Sequence, residues 1–277
     1  MILSKRKTVL LVFALIMSLV FVLSACGSSD TTEGSNSGTG KSDSDVLRVG
    51  VDDCYPPMEY KDENGKDTIG FDVDVAKEVA KRLGKSDVKF ISNDWDGIFA
   101  ALETDKFDCI ISSVSINEER KKAHSLTKPY VANKLVLVTS ASNKDITSPE
   151  TLSGKKVGSQ SGTTSSKYAE KLISDGAKFE FTKYDLVTEP FQELKIGRLD
   201  AIIVDIVVAQ YYVAKDKESY KVVWESADAE PMAICCQKDD TELRDKIDKI
   251  LDDMRTDGTM KTISEKWFGK DITSNLE

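Results

Sequence analysis

A thirteen-residue pattern occurs twice in this chain and limits the folds that it can adopt. Residues 99–111, FAALETDKFDCII, and residues 191–203, FQELKIGRLDAII, place apolar residues, an aspartate and a final pair of isoleucines in the same register. Each segment is typical of the end of an amphipathic helix, a turn and a buried strand. Many α/β units share such spacing, so coincidence is an alternative, but we favour two lobes of similar build.

From Val46 onward the chain alternates short apolar strands with amphipathic helices. This order predicts an α/β fold, in which each lobe is a mostly parallel sheet flanked by helices. The extended runs 130–140 and 231–237 are candidates for two hinge strands that cross between the lobes. We therefore predict that residues 46–134 and 232–277 form lobe 1 and that residues 135–231 form lobe 2.

The first 25 residues predict an export signal that is not part of the folded body. Basic residues at 5–7 precede a 15-residue, mostly apolar run at 9–23, which is short for a membrane span. The small residues before Cys26 resemble the lipobox of bacterial lipoproteins, in which the cysteine carries the lipid and becomes the new N-terminus. An uncleaved signal anchor is the alternative. Residues 26–45 predict a flexible tether between a lipid anchor in the cell membrane and the body.

An acidic balance limits the partners of the mature chain. Loss of residues 1–25 removes three basic and no acidic residues, so 35 Lys and Arg face 47 Asp and Glu, a formal net charge of −12. We therefore expect no nucleic-acid partner. With His124 as the single histidine and no CxxC motif, we expect neither a metal site nor a cofactor. The cysteines after Cys26 could form disulfides in an exported protein, but their apolar neighbours favour buried thiols.

Polar side chains follow the carboxyl ends of the predicted strands, the edge at which ligands bind in open parallel sheets. These candidates are Asp52 and Tyr55 after the first strand, Ser113 and Ser115 after FDCII, Ser161, Thr163 and Thr164 after KKVGS, and Asp205 at the end of LDAIIV. Trp95 and Tyr130 are aromatic candidates for the same cleft, and burial in the core is the alternative for both.

The charges among these residues indicate one kind of ligand. Arg120 stands in the first turn of a predicted helix, where a cation is disfavoured by about 0.3–1 kcal/mol. Its planar fork suits a carboxylate, as does the Gly–Thr–Thr segment at a helix start. Asp205 suits an ammonium, so the set describes a zwitterion such as a free amino acid. Alternatively, Arg120 pairs with Glu118 or Glu119 at the surface and Asp205 caps the next helix.

Longer segments of the chain resemble a known family. GVDDCYPPMEY, GFDVDVAKEVAKRLG, WDGIFAAL, SSVSINEERKKAHSLTKPY, VGSQSGTT and GRLDAIIVD are similar, in order, to signatures of the polar amino-acid family of extracellular solute-binding proteins (family 3) that serve ABC importers. The resemblance extends from about Val46 to Phe268. It implies a two-lobed fold that closes on its ligand like a flytrap, and an ABC permease as the partner of a monomeric protein.

The resemblance also implies roles for the site residues. Arg120 would hold the ligand carboxylate, and Asp205 would share the ammonium with Ser113, so that both lobes hold the ligand and binding closes the hinge. The residues that help with the carboxylate would be Thr163, Thr164 and Ser115. The residues around the ligand side chain would be Tyr55, Trp95 and, near its far end, Asp52.

The preferred amino acid and two other functions are open at this point. Asp52 suits a basic side chain, the family also includes amide binders, and the unusual Cys54 and the Cys235–Cys236 pair make cysteine or cystine conceivable. An enzyme resembling cyclohexadienyl dehydratases shares the fold but needs a general acid over a cyclic substrate. A ligand-sensing ectodomain would normally continue into a membrane span and a signalling domain.

Overall fold

Residues 45–274 and 276 are described by a computed structural model of the protein. The predicted export signal, Cys26 and nearly all of the predicted tether lie outside the described residues. The strands are β1 Val46–Val51, β2 Cys54–Tyr55, β3 Glu59–Lys61, β4 Thr68–Ile69, β5 Asp87–Ser92, β6 Cys109–Ser115, β7 Ser125–Leu126, β8 Leu135–Ser140, β9 Lys156–Gln160, β10 Glu180–Tyr184, β11 Ala201–Asp205, β12 Tyr220–Glu225 and β13 Met232–Cys236. The α-helices are α1 Phe71–Arg82, α2 Trp95–Glu103, α3 Glu118–Ala123, α4 Thr164–Ser174, α5 Thr188–Lys195, α6 Ile206–Lys215, α7 Thr241–Thr256 and α8 Thr259–Phe268.

The first lobe is built on a five-stranded sheet in the order β5-β1-β6-β13-β7. Strands β5, β1 and β6 run parallel, whereas β13 is antiparallel to both of its neighbours. Helix α1 packs on this sheet because its apolar spacing places Phe71, Val75 and Val79 on one buried face. Helices α7 and α8 contact α1, so the last helices return to the first lobe as predicted.

The second lobe repeats this layout in the order β10-β9-β11-β8-β12. The twofold sequence pattern corresponds to α2 and β6 in the first lobe and to α5 and β11 in the second. Its aspartates occupy equivalent places: Asp108 Oδ2 accepts a hydrogen bond of 2.7 Å from the Arg48 N–H, and Asp200 Oδ2 accepts one of 2.8 Å from the Lys156 N–H. The two-lobed fold predicted from the repeat is therefore the observed one.

Two chain segments cross between the lobes side by side. Residues 130–134 lead into β8, and residues 226–231 lead from β12 into β13. The Glu230 N–H donates to the Asn133 carbonyl at 2.9 Å, and the Met232 N–H donates to the Val131 carbonyl at 3.0 Å. We propose residues 46–134 and 232–277 as lobe 1 and residues 135–231 as lobe 2, which is compatible with the strand membership of both sheets.

The direction of the crossing strands makes each sheet mixed rather than largely parallel. In each sheet three strands pair in parallel, and the strand that arrives from the other lobe pairs antiparallel on both sides. The described cysteines are free thiols: Cys109, Cys235 and Cys236 are buried, and Cys54 is half-buried. Over residues 45–274 and 276, the helices are too short or too polar to cross a membrane.

Candidate functional site

A cavity lies between the two lobes, at the carboxyl ends of the strands. Its lining contains nine of the ten side chains that the sequence predicts for ligand binding, all except Ser161. The lining residues are Asp52, Tyr55, Glu59, Trp95, Ser112, Ser113, Ser115, Arg120, Gln160, Thr163, Thr164 and Asp205. Strand ends from both lobes therefore meet at one place, as the topology of the sheets predicts.

Arg120 is turned inward from the start of helix α3. Asn117 caps this helix by accepting a hydrogen bond of 2.8 Å from the Arg120 N–H. Arg120 as a residue is 7% exposed. Its guanidinium donates from Nη1 to the Ser115 carbonyl at 2.9 Å and lies 5.2 Å and 5.0 Å from the ring centres of Trp95 and Phe99. Such rings stabilise a cation in a desolvated place.

The alternative surface pairing of Arg120 does not occur. Glu118 pairs with Lys121, and Glu119 pairs with Lys167 of the second lobe. In the part of the chain that the structure describes, no carboxylate lies within ion-pair distance of the Arg120 guanidinium. A buried guanidinium without a carboxylate partner is able to receive one from a ligand.

Asp205 ends strand β11 and stands at the N-cap position of helix α6, but its side chain makes no capping hydrogen bond. Its carboxylate instead accepts from the Tyr55 hydroxyl and, at 2.8 Å, from Asn133 Nδ2. Burial raises the pKa of Asp205, and the hydrogen bonds from Tyr55 and Asn133 oppose that shift, as does the charge of Arg120. The side chain serves the cavity rather than the helix.

Hydrogen bonds across the cleft join the two lobes around the cavity. Gln160 Nε2 donates to Asp52 Oδ2 at 2.7 Å, and Trp95 Nε1 donates to the Gly162 carbonyl at 3.2 Å. Burial raises the pKa of Asp52 to about 6. Asp52 is thus ionised at neutral pH, although it is only 4% exposed.

Thr163 and Thr164 begin helix α4 at the cavity wall. The Thr163 hydroxyl caps the helix by accepting from the Ser166 N–H at 3.1 Å, and it donates to the Gln160 carbonyl at 2.7 Å. The positive end of the helix dipole and the first backbone N–H groups therefore face the cavity, which is a favourable place for an anion.

Three sequence-based expectations fit the structure less well. Ser161 lies outside the cavity and is half-buried, with its N–H bound to the Tyr184 carbonyl. Tyr130 is a core residue, and its hydroxyl donates to Asp72 Oδ1 at 2.6 Å. Ser113 lines the cavity, but its hydroxyl donates to Asp72 Oδ2 at 3.0 Å, so it points toward the first lobe rather than toward Asp205.

Sequence reasoning omitted three lining residues, Glu59, Ser112 and Gln160. Ser112 and Gln160 stand in strand-end segments that the topology already singled out. Glu59 had no such signal, because it reaches the cavity only through the pairing of β2 with β3. It is fully buried and accepts a hydrogen bond of 2.5 Å from Ser112. Burial and the neighbouring Asp72 hold the pKa of Glu59 well above its ordinary value.

Metal binding has no candidate among residues 45–274 and 276, where no three His, Cys, Asp or Glu residues come together as ligands. The arrangement of the cavity suits a small molecule with charged ends. Its lining includes the buried cation Arg120 and the carboxylates of Asp52 and Asp205, which both accept hydrogen bonds. The N-terminus of helix α4 lies at the same cavity.

The chain is similar to proteins whose names describe amino-acid binding. It matches the model of bacterial extracellular solute-binding proteins, family 3, over residues 47–270. It is 36% identical over 272 residues to the probable amino-acid-binding protein YxeM of Bacillus subtilis (strain 168), covering 97% of each chain. It is 33% identical over 229 residues to the L-cystine-binding protein TcyJ of Escherichia coli (strain K12), covering 82% of this chain and 84% of that protein.

The fold has matching solved structures. An ancestral arginine-binding protein bound to arginine superposes with a TM-score of 0.77 at 44% identity, covering 81% of this chain and 99% of that one. The relatives named here are binding proteins rather than enzymes. Because the family model spans most of the sequence, the chain belongs to the bacterial extracellular solute-binding proteins of family 3.

Proposed function

We propose that the protein captures a free L-amino acid outside the cytoplasm and delivers it to the permease of an ABC importer. The observation that carries this proposal is the meeting of Arg120 of the first lobe and Asp205 of the second in one cavity. Opposite charges supplied by separate lobes match the two ends of a zwitterion. A ligand that touches both would favour the closed arrangement of the lobes.

Arg120 receives the ligand carboxylate in this proposal. Its fork faces a desolvated cavity, and Thr163 and Thr164 present the N-terminus of an eleven-residue helix to the same anion. Charge-assisted hydrogen bonds of this kind contribute on the order of 1.5–3 kcal/mol each. Three or four of them, with aromatic cover from Trp95, are compatible with affinities from about micromolar to nanomolar.

Asp205 receives the ligand ammonium. Tyr55 and Asn133 each use part of the acceptor capacity of its carboxylate, and the remainder is available to a cation in the cavity. Tyr55 lies beside the ammonium as well as the side chain of the ligand, since its hydroxyl is bound to the same carboxylate.

The balance of charge favours a ligand with a basic side chain. The ligand carboxylate and ammonium neutralise Arg120 and Asp205, which leaves Asp52 as an ionised, buried carboxylate. Over the described residues, no lysine or arginine forms an ion pair with Asp52. Beside it, the buried Oε1 of Gln160 has no hydrogen-bond partner in the described structure. A guanidinium or ammonium on the ligand would satisfy both acceptors, and the similarity to an arginine-binding protein supports this choice.

A sulfur-specific pocket has less support from the cavity. Cys54, Cys235 and Cys236 are absent from its lining. Similarity to an L-cystine-binding protein keeps L-cystine as the second ligand to be tested.

The N-terminal sequence also supports an extracytoplasmic location for the protein. We propose that residues 1–25 are removed and that Cys26 carries a lipid that anchors the body to the cell membrane. The similarity to extracellular binding proteins supports an extracytoplasmic location. Radioactive palmitate should label the wild-type protein and not a Cys26→Ser variant.

A thermal-shift screen tests the proposed function. The panel contains the twenty amino acids, ornithine and L-cystine, and a ligand present at about 100 times its Kd stabilises by about 2.7 kcal/mol. We expect L-arginine and other basic amino acids to give the largest shifts. A panel without any stabilising amino acid would contradict the proposal. In the same samples, prephenate or arogenate should yield no aromatic product, and product formation would favour the enzyme alternative.

Asp52→Asn should have opposite effects on stability and binding. Burial raises the pKa of Asp52 from 3.8 to about 6, so the folded protein loses stability as pH rises through that interval and carries the full cost above it. Removal of the charge should therefore increase the free energy of unfolding by up to about 3 kcal/mol at pH 7 and by little at pH 4. The same variant should bind L-arginine at least about tenfold more weakly. Denaturant titrations at both pH values and calorimetry measure these effects, and a destabilised variant at pH 7 would show that the Asp52 charge is not costly.

A further inference from the structure

A second carboxylate lies behind Asp205, at the point where the two crossing segments meet. Asn133 of the first crossing donates from Nδ2 to Asp205 Oδ1 at 2.8 Å and to Glu230 Oε2 of the second crossing at 3.4 Å. The crossing segments are fixed to one another here, since the Glu230 N–H donates to the Asn133 carbonyl at 2.9 Å. One amide thus bridges two acidic side chains that are 25 residues apart in the sequence.

The charged groups around Glu230 do not balance the two acids. The Glu230 and Asp205 carboxyls both accept from Asn133 Nδ2, and Thr164 on helix α4 is a further neighbour of Glu230. Arg120 on helix α3 is the cation whose charge acts on both acids, and the Tyr55 hydroxyl faces them from strand β2. In the ligand-free protein the charge of Arg120 lowers the pKa of both acids, but one cation does not compensate two carboxylates.

Asp205 is buried and Glu230 is half-buried, and two carboxylates held on one amide nitrogen repel each other when both are ionised, so the pair favours retention of one proton. Asp205 accepts two hydrogen bonds, from Tyr55 and Asn133, which stabilise its ionised form. The proton therefore resides on Glu230. Consistent with this geometry, burial and then the charge of Asp205 raise the pKa of Glu230 to about 8.

We propose that Glu230 is a positioning residue that holds one proton in the ligand-free protein and releases it to solvent when a ligand ammonium reaches Asp205. The inference rests on the proposed function, because it needs a cation to enter the cavity beside Asp205. The added positive charge stabilises a second carboxylate, so the Glu230 carboxylic acid becomes a carboxylate and one proton leaves. Glu230 thereby supplies a second negative charge that holds the ammonium without contacting it.

Proton release by Glu230 makes the affinity for the ligand depend on pH in a defined direction. Between the pKa of Glu230 in the complex and its higher pKa in the ligand-free protein, binding and proton release occur together, so affinity rises with pH by up to about tenfold per pH unit. Above that pKa, Glu230 is already ionised and releases no further proton on binding. A purely structural role for Glu230 predicts no such pH dependence.

Calorimetry of the full-length protein with L-arginine at pH 7 tests the proposal. Titrations in phosphate and in Tris, which differ in ionisation enthalpy, give the number of protons released on binding. We expect close to one proton for the wild type, close to none for Glu230→Gln, and the wild-type value for Asp228→Asn, an exposed acid of the same crossing segment. Glutamine retains the hydrogen-bonding groups of Glu230, and thermal unfolding confirms that the variant is folded.

The outcomes separate this inference from the proposed function. Binding of L-arginine by the wild type without proton release would overturn the role of Glu230, whether or not the variant folds. Undiminished proton release by Glu230→Gln would also overturn it. Failure of L-arginine and of every other amino acid in the screening panel to bind would instead overturn the proposed function, and the proton inference with it.

Discussion

Replacement of Arg120 by alanine is expected to weaken amino-acid binding by more than about 100-fold, which corresponds to about 2.8 kcal/mol or more. The ligand carboxylate would then enter a closed cavity without the fork that pairs with it. Loss of a buried charge partner costs about 2–5 kcal/mol, much of it from the charge left behind. Isothermal titration calorimetry with L-arginine measures the effect.

Lys121→Ala is the matched control for this experiment. Lys121 is the next residue of the same helix, but its ammonium pairs with Glu118 at the surface. The control should bind L-arginine within about twofold of the wild type, since exposed ion pairs contribute about 0–1 kcal/mol to stability and nothing to the cavity. An unchanged Kd for a folded Arg120→Ala protein would remove Arg120 from the site.

Replacement of Asp205 by asparagine is expected to weaken binding by about 100-fold as well, through the other end of the ligand. Asparagine has nearly the same shape and retains an oxygen that accepts from Tyr55, so the lobes should still close. What it lacks is the negative charge that attracts an ammonium. Because the buried charge of Asp205 is costly, the ligand-free variant should be at least as stable as the wild type in thermal unfolding.

Asp216→Asn is a suitable control for Asp205→Asn. Asp216 follows the other end of helix α6 and pairs with Lys195 away from the cavity. Its replacement should leave the Kd for L-arginine unchanged within error. Equal losses in both variants would indicate a general effect on lobe 2, and no loss in either would contradict the role of Asp205.

Local pattern was sufficient to predict the two lobes and most of the cavity. The repeated segments at 99–111 and 191–203 combine helix and strand periodicity, and each ends in a buried strand. Because the parallel strands end at one edge of each sheet, polar residues such as Arg120 and Asp205 could be assigned to one site before their positions were known.

Neighbouring residues within a correct segment were harder to distinguish. Successive side chains of an extended chain point to opposite faces, and the sequence does not show which face meets the cavity. The sequence assigned the segment at the end of strand β9 to the site, but Gln160 lines the cavity and Ser161 lies outside it. Ser113 adopts φ 51°, a left-handed conformation, and so departs from the regular alternation as well.

Long-range packing determines the features that no local pattern predicts. Glu230 and Asn133 are 97 residues apart, and they meet only because the two crossing segments run side by side. Glu59 reaches the cavity through a short β-hairpin rather than a strand end. The antiparallel direction of β8 and β13 likewise depends on how the chain returns between lobes.

A crystal structure of the complex with L-arginine would show where both charged ends of the ligand bind. We predict that the ligand carboxylate pairs in a fork with the Arg120 guanidinium, that its α-ammonium binds Asp205, and that its guanidinium lies beside Asp52 and Gln160. A ligand bound elsewhere, or bound in this cavity with its carboxylate directed away from Arg120, would contradict the proposed roles of Arg120 and Asp205.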